Sequence, residues 1–146
     1  MTVSLTTGLF GRDPSVSRRL SVGAVALGVA AFGLAALAGT FSGAGPLAPR
    51  AVLMTLAMGA VALGVVAALA SAFRNGGLLV SWLLVCGPVA GLVVYGAHAG
   101  GFRDTGPVDA LLAGGLWGVG AAVTLGTLLF VLGVAGRWVD EGRLTV

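Results

Sequence analysis

The sequence predicts an all-α integral membrane protein, a polytopic bundle of four transmembrane helices. Three observations carry this. Four stretches, Leu20–Phe41, Ala51–Phe73, Leu78–Ala99 and Val108–Ala135, hold almost no charge and run 22 to 28 residues each. At about 1.5 Å of rise per residue, a helix of that length crosses a hydrocarbon core of roughly 30 Å. Only 9% of the chain is charged and its mean hydropathy is +1.06, whereas soluble domains carry about 25% charged residues. The breaks between the stretches collect Gly, Pro and Asn, the residues that close and open helices.

A single membrane domain over residues 1–146 follows, since no polar segment is long enough to bury a core of its own. Residues 1–19 form a tail, 20–41 the first span, 51–73 the second, 78–99 the third, 108–135 the fourth and 137–146 a second tail. In the first tail, Gly8 and Gly11 work against a firm helix, and Asp13-Pro14 reads as a cap followed by Pro in the first helical turn. Ser17-Arg18-Arg19-Leu20 has the outline of a twin-arginine export signal. Ser21 stands where a bulky apolar residue is expected, and the apolar run is long for such a signal. The arginine pair is therefore read as an anchor for span one.

Ser42–Arg50, with Gly43, Gly45, Pro46 and Pro49, makes the first turn, and Pro49 is placed to open span two. Arg74-Asn75-Gly76-Gly77 suits a tight turn between antiparallel spans two and three. Pro88 within span three removes one backbone hydrogen bond and is expected to kink the helix near Leu84. Gly100–Pro107 is the last turn, and Asp109 falls at the third position of the helix that Pro107 starts. Span four is the longest and must tilt, bend or protrude.

All eight basic residues are arginines. With four spans, Arg12, Arg18, Arg19, Arg74, Arg137 and Arg143 share one side, and Arg50 and Arg103 take the other. Positive charge favours the cytoplasmic face, so the prediction is a cell-membrane protein with both termini cytoplasmic. The arginines form no stripe, which argues against nucleic acid despite a pI near 10.5. The partners expected are the lipid bilayer and either a second copy of the chain or a larger membrane complex.

In lipid, close backbone contact and dispersion hold helices together, which calls for small residues on one face. Spacing of four supplies them: Ala31, Ala35, Gly39 and Gly43; Ala60, Gly64, Ala68 and Ala72; Gly87 and Gly91, then Gly96 and Gly100; Gly114, Gly118, Ala122 and Gly126. Packing within the bundle is expected to rest on Gly64, Gly87, Gly91, Gly114, Gly118 and Gly126.

Chemistry has few candidates. His98, the only histidine, falls near Arg103, Asp104 and Asp109, and the four define an outer polar cluster. The plainer reading is a His at a negative helix end, with Asp residues capping a helix start. Cys86, the single cysteine, lies within span three without a base at its depth. Trp117 lies deeper in span four than an aromatic belt, and its indole N–H needs an acceptor. No Asp, Glu, Lys or Arg occupies the middle of a span, where ion-coupled transporters place a titratable group. No metal motif, phosphate loop or nucleophile elbow is present. Neither enzyme activity, cofactor nor metal is expected. The leading expectation is a non-enzymatic structural, assembly or accessory subunit. The alternative is a small oligomeric transporter or channel with an outer vestibule around His98 and Asp109 and Trp117 in its wall.

Overall fold

Four helices follow one another up and down. In the computed structural model, residues 9–41, 48–74, 77–97, 106–140 and 142 are described. They form α1 (Pro14–Gly39), α2 (Pro49–Arg74), α3 (Leu78–Gly96) and α4 (Pro107–Asp140). Each is long and apolar enough to cross a bilayer, so this is a multi-pass membrane protein with a four-helix bundle.

α1, α2 and α4 are longer than the apolar stretches that announce them, and α3 runs from Leu78 to Gly96. α1 starts at Pro14 rather than Leu20, because Asp13 caps it: its Oδ1 accepts from the N–H groups of Ser15 at 2.8 Å and Val16 at 3.4 Å. Pro49 and Pro107 open α2 and α4. α4 spans 34 residues, about 51 Å of helix against a hydrocarbon core of roughly 30 Å, so its ends project or the helix tilts. Pro88 sits inside α3, which stays one continuous helix across it.

α2 and α3 each touch all three other helices, whereas α1 and α4 scarcely meet. α1 runs parallel to α3, with Gly28 against Gly87 and Gly39 against Tyr95. α2 and α4 run antiparallel to α3, and Gly133 of α4 rests on Ala72 and Phe73 of α2.

On α1, α2 and α4 the buried face is made almost wholly of small residues, set against Val80, Ser81, Leu84, Val85 and Pro88 of α3. Ala24, Ala31, Ala35 and Ala38 of α1, Ala57, Ala60, Gly64, Ala68 and Ala72 of α2, and Ala110, Gly114, Gly118, Ala122 and Gly126 of α4 are buried. Large residues such as Val25, Val29, Leu63, Leu116 and Leu132 face outward. This sorting follows from the solvent: lipid accepts Leu and Val at no cost, while close helix contact requires small side chains.

The α1 seam departs from the expected spacing of four. Its buried alanines sit at 24, 31, 35 and 38, with Gly28 filling the gap. Steps of three and four alternate because their mean lies close to the 3.6-residue turn. A Cβ on Gly28 would lie 2.7 Å from the Gly87 carbonyl oxygen, so Gly28 belongs to the tightest crossing although it falls outside the expected stripe. Gly96 leaves it: nothing lies within 4 Å of a Cβ there.

α4 keeps a spacing of four from Ala110 to Gly126, as α2 does from Ala60 to Ala72, and a π turn covers Ala122–Gly126. Four residues of α-helix advance about 400°, so such a stripe drifts about 40° per step. A π turn, closed by i→i+5 bonds, winds more slowly and drifts the other way. Gly118, Ala122 and Gly126 are buried, and so is Gly133, seven residues further on.

Candidate functional site

Two regions hold the polar chemistry of the described residues, one at each end of the bundle. Of the outer cluster expected from the sequence, His98, Arg103 and Asp104 lie outside the described residues. Asp109 is exposed in the first turn of α4, three residues past the Gly106 cap. That cap offers no side chain to the helix start, so the carboxylate supplies negative charge to the positive end of the α4 dipole. Trp117 is 65% exposed on the outward face of α4, next to Leu116. It lines no interior surface of this chain.

The opposite end is basic. Arg18 and Arg19 stand in the second turn of α1, Arg74 ends α2, and Arg137 lies in the last turn of α4. The antiparallel order brings them to one end, while Arg50 at the start of α2 lies at the other. Ahead of α1 the chain folds back over this end. Gly11 adopts φ 92°, a left-handed conformation that favours glycine. Phe10 and Gly11 then cover Gly77, where a Cβ would come 3.0 Å from the Phe10 carbonyl. The Ser17 hydroxyl donates to the Phe10 carbonyl oxygen and holds the elbow against α1.

Asp13 is the described acid at this elbow. The Ser15 hydroxyl, the Ser15 N–H and then the Val16 N–H hold its carboxyl below the ordinary carboxylate value, with a small contribution from Arg19.

Deeper polar groups join helices to one another or to their own backbone. The Ser81 hydroxyl, fully buried, faces the carbonyls of Gly77 at 3.2 Å and of Ala68 on α2 at 3.4 Å. Trp82 Nε1 donates to Thr127 Oγ1 at 3.0 Å, linking α3 to α4. Thr124 Oγ1 donates back to the Gly120 carbonyl at 2.8 Å within the π turn. Cys86 is half-buried, with its Sγ 3.1 Å from where a Cβ on Gly118 would lie.

The glycines named from the sequence sit as follows. Gly87 meets Ala24 of α1, and Gly91 meets Gly28. Gly64 lies against Leu84 and Pro88 of α3. Gly114, Gly118 and Gly126 meet Val94, Ala90 and Trp82 of α3. Among the described residues, no three His, Cys, Asp or Glu side chains gather closely enough to hold a metal ion. Compared with protein-family models, with curated proteins and with solved structures, the chain matches none.

Proposed function

We propose that this protein is a non-enzymatic structural, assembly or accessory subunit of the cell membrane, with both chain ends cytoplasmic. The observation that carries the reading is the filled interior. At Gly28, Gly64, Gly87 and Gly91 an added Cβ would come within 3.0 Å of the backbone of a neighbouring helix. At these four points α3 is packed backbone to backbone against α1 and α2. Ser81, Trp82, Thr124 and Thr127 are engaged in helix–helix or helix–backbone hydrogen bonds, while the buried Ser71 hydroxyl has no hydrogen-bond partner. Such a bundle offers partners a rigid, apolar outer surface rather than a reaction centre.

The orientation rests on charge. Arg18, Arg19, Arg74 and Arg137 gather at one end of the bundle and Arg50 lies at the other, which favours the richer end as the cytoplasmic one.

Purification of tagged protein in mild detergent tests the role. A second membrane protein should co-elute at fixed stoichiometry, and tagging that protein should recover this chain. Elution of this chain alone, with solute flux in proteoliposomes that Asp109→Asn abolishes, would overturn the proposal in favour of a transporter. Orientation is read by labelling Ser15→Cys and Arg50→Cys in a Cys86→Ser background. An impermeant maleimide on intact cells should modify the second and spare the first.

A further inference from the structure

α1 and α3 begin at the same end, and between their first turns lies a slot of about 350 Å³. Phe10, Pro14, Leu79 and Leu83 give it apolar walls, and Arg18 and Ser21 line it as well. Arg18 also borders a second hollow of about 510 Å³, shared with Ser15, Arg19 and Val22. Arg18 thus borders both the apolar slot and an open hollow.

Among the described residues this end carries more arginines than acids, Arg12, Arg18, Arg19, Arg74 and Arg137 against Asp13 and Asp140, and Arg18 and Arg19 are exposed. Asp13, the acid closest in sequence, spends its Oδ1 on the cap of α1. The helix dipoles of α1 and α3 both turn their positive ends this way. Depth also matches. Arg18 precedes the uncharged stretch that starts at Leu20, so it lies at headgroup level, while Leu79 and Leu83 continue toward hydrocarbon.

We propose that the start of α1 and α3 is a binding site for one anionic phospholipid. Arg18, with Arg19 beside it, binds the phosphodiester, and an acyl chain lies in the slot against Leu79 and Leu83. A free phosphate would leave the slot unused. A zwitterionic lipid would bring an ammonium group to an end that has two exposed arginines and an acid already engaged in capping. Selectivity for net negative headgroups follows from that arrangement.

The test uses the whole chain in neutral detergent micelles. Dioleoylphosphatidylglycerol and dioleoylphosphatidylcholine compete for it, bound lipid is read by native mass spectrometry, and stability is read by thermal melting. The anionic lipid should be retained preferentially and should raise the melting temperature more. Arg18→Gln should lower that preference about fivefold, the scale of one arginine near an anionic surface. Arg50→Gln, which removes an exposed arginine at the other end, should leave it unchanged. Leu83→Trp fills the slot and should lower retention with Arg18 intact. Arg18→Gln alters an exposed position, so it decides the matter even if the Trp variant folds poorly. Equal retention of the two lipids, equal loss in Arg18→Gln and Arg50→Gln, or full stabilisation by soluble glycerol 3-phosphate would each overturn the proposal.

Discussion

Gly64 of α2 lies against the backbone of Leu84 on α3, at the carbonyl that Pro88 leaves without a helical donor. Proline has no N–H, so the Leu84 oxygen cannot receive the usual bond from four residues on. A Cβ at Gly64 would come within 3.0 Å of that oxygen and 3.0 Å from the Pro88 ring. The missing bond and the missing side chain meet at one point.

Gly64→Val should therefore lower stability by about 1–3 kcal/mol, the usual cost of overpacking. Gly59→Ala, on the same helix with nothing within 4 Å of its Cβ, should be near neutral. Unfolding in mixed micelles compares the two. Equal stability of both variants would remove the contact's importance.

Gly28 and Gly91 meet across the α1–α3 crossing, and a Cβ on either would press on the other helix's backbone. Gly28→Ala and Gly91→Ala should each destabilise, and the double variant should cost less than the sum, because one separation of the helices relieves both clashes. A double-mutant cycle measures this. Strict additivity would mean the two sites do not share a seam.

The Trp82–Thr127 hydrogen bond predicts an asymmetry between two substitutions. Thr127→Val removes the acceptor and should cost about 0.6–1.7 kcal/mol, the range for such bonds in membranes. Thr127→Ser keeps it and should cost less. Thermal melting with emission from Trp82, in a Trp117→Phe, Trp138→Phe background, reports both.

Trp117 faces lipid. With Trp82 and Trp138 replaced by Phe, its fluorescence should be strongly quenched by lipids brominated on the acyl chains and little affected by aqueous iodide. The opposite pattern would place it on a water-filled surface.

Asp13 predicts a pH dependence at the start of α1. Its folded carboxyl titrates below the ordinary 3.8 because the ionised form accepts the Ser15 and Val16 donors. The stabilisation is complete above the unfolded value and is lost as pH falls through the lowered folded one. NMR titration of the carboxyl should find its midpoint below 3.8, and Asp13→Asn should remove the pH dependence of the first turn.

Much of the bundle was legible in the sequence because the bilayer sets a length and close packing sets a residue size. The four helices follow from apolar run length. Gly64, Gly87, Gly91, Gly114, Gly118 and Gly126 were singled out by their spacing of four, and each has a neighbour on α3 or α1. Gly28 escaped that pattern because α1 follows alternating steps of three and four. The π turn had no signature in Ala122–Gly126, since it answers to the surface of α3 rather than to local preference. The basic end was visible as a charge bias, but the slot beside Arg18 depends on how Phe10 folds back and on where α3 starts. Of the outer cluster, only Asp109 falls within the described residues, so the grouping drawn from sequence has no geometry to set beside it.

On α1, α2 and α4, small residues inside and bulky ones outside reverse the familiar map of mutational tolerance. In a water-soluble protein, trimming a core side chain is the damaging change and enlarging a surface one passes unnoticed. Here enlargement along the α3 seams is the change a lineage could least absorb. Exchange among Val, Leu, Ile and Phe on the outward faces would drift freely. A survey of viable variants should find its forbidden positions at alanines and glycines.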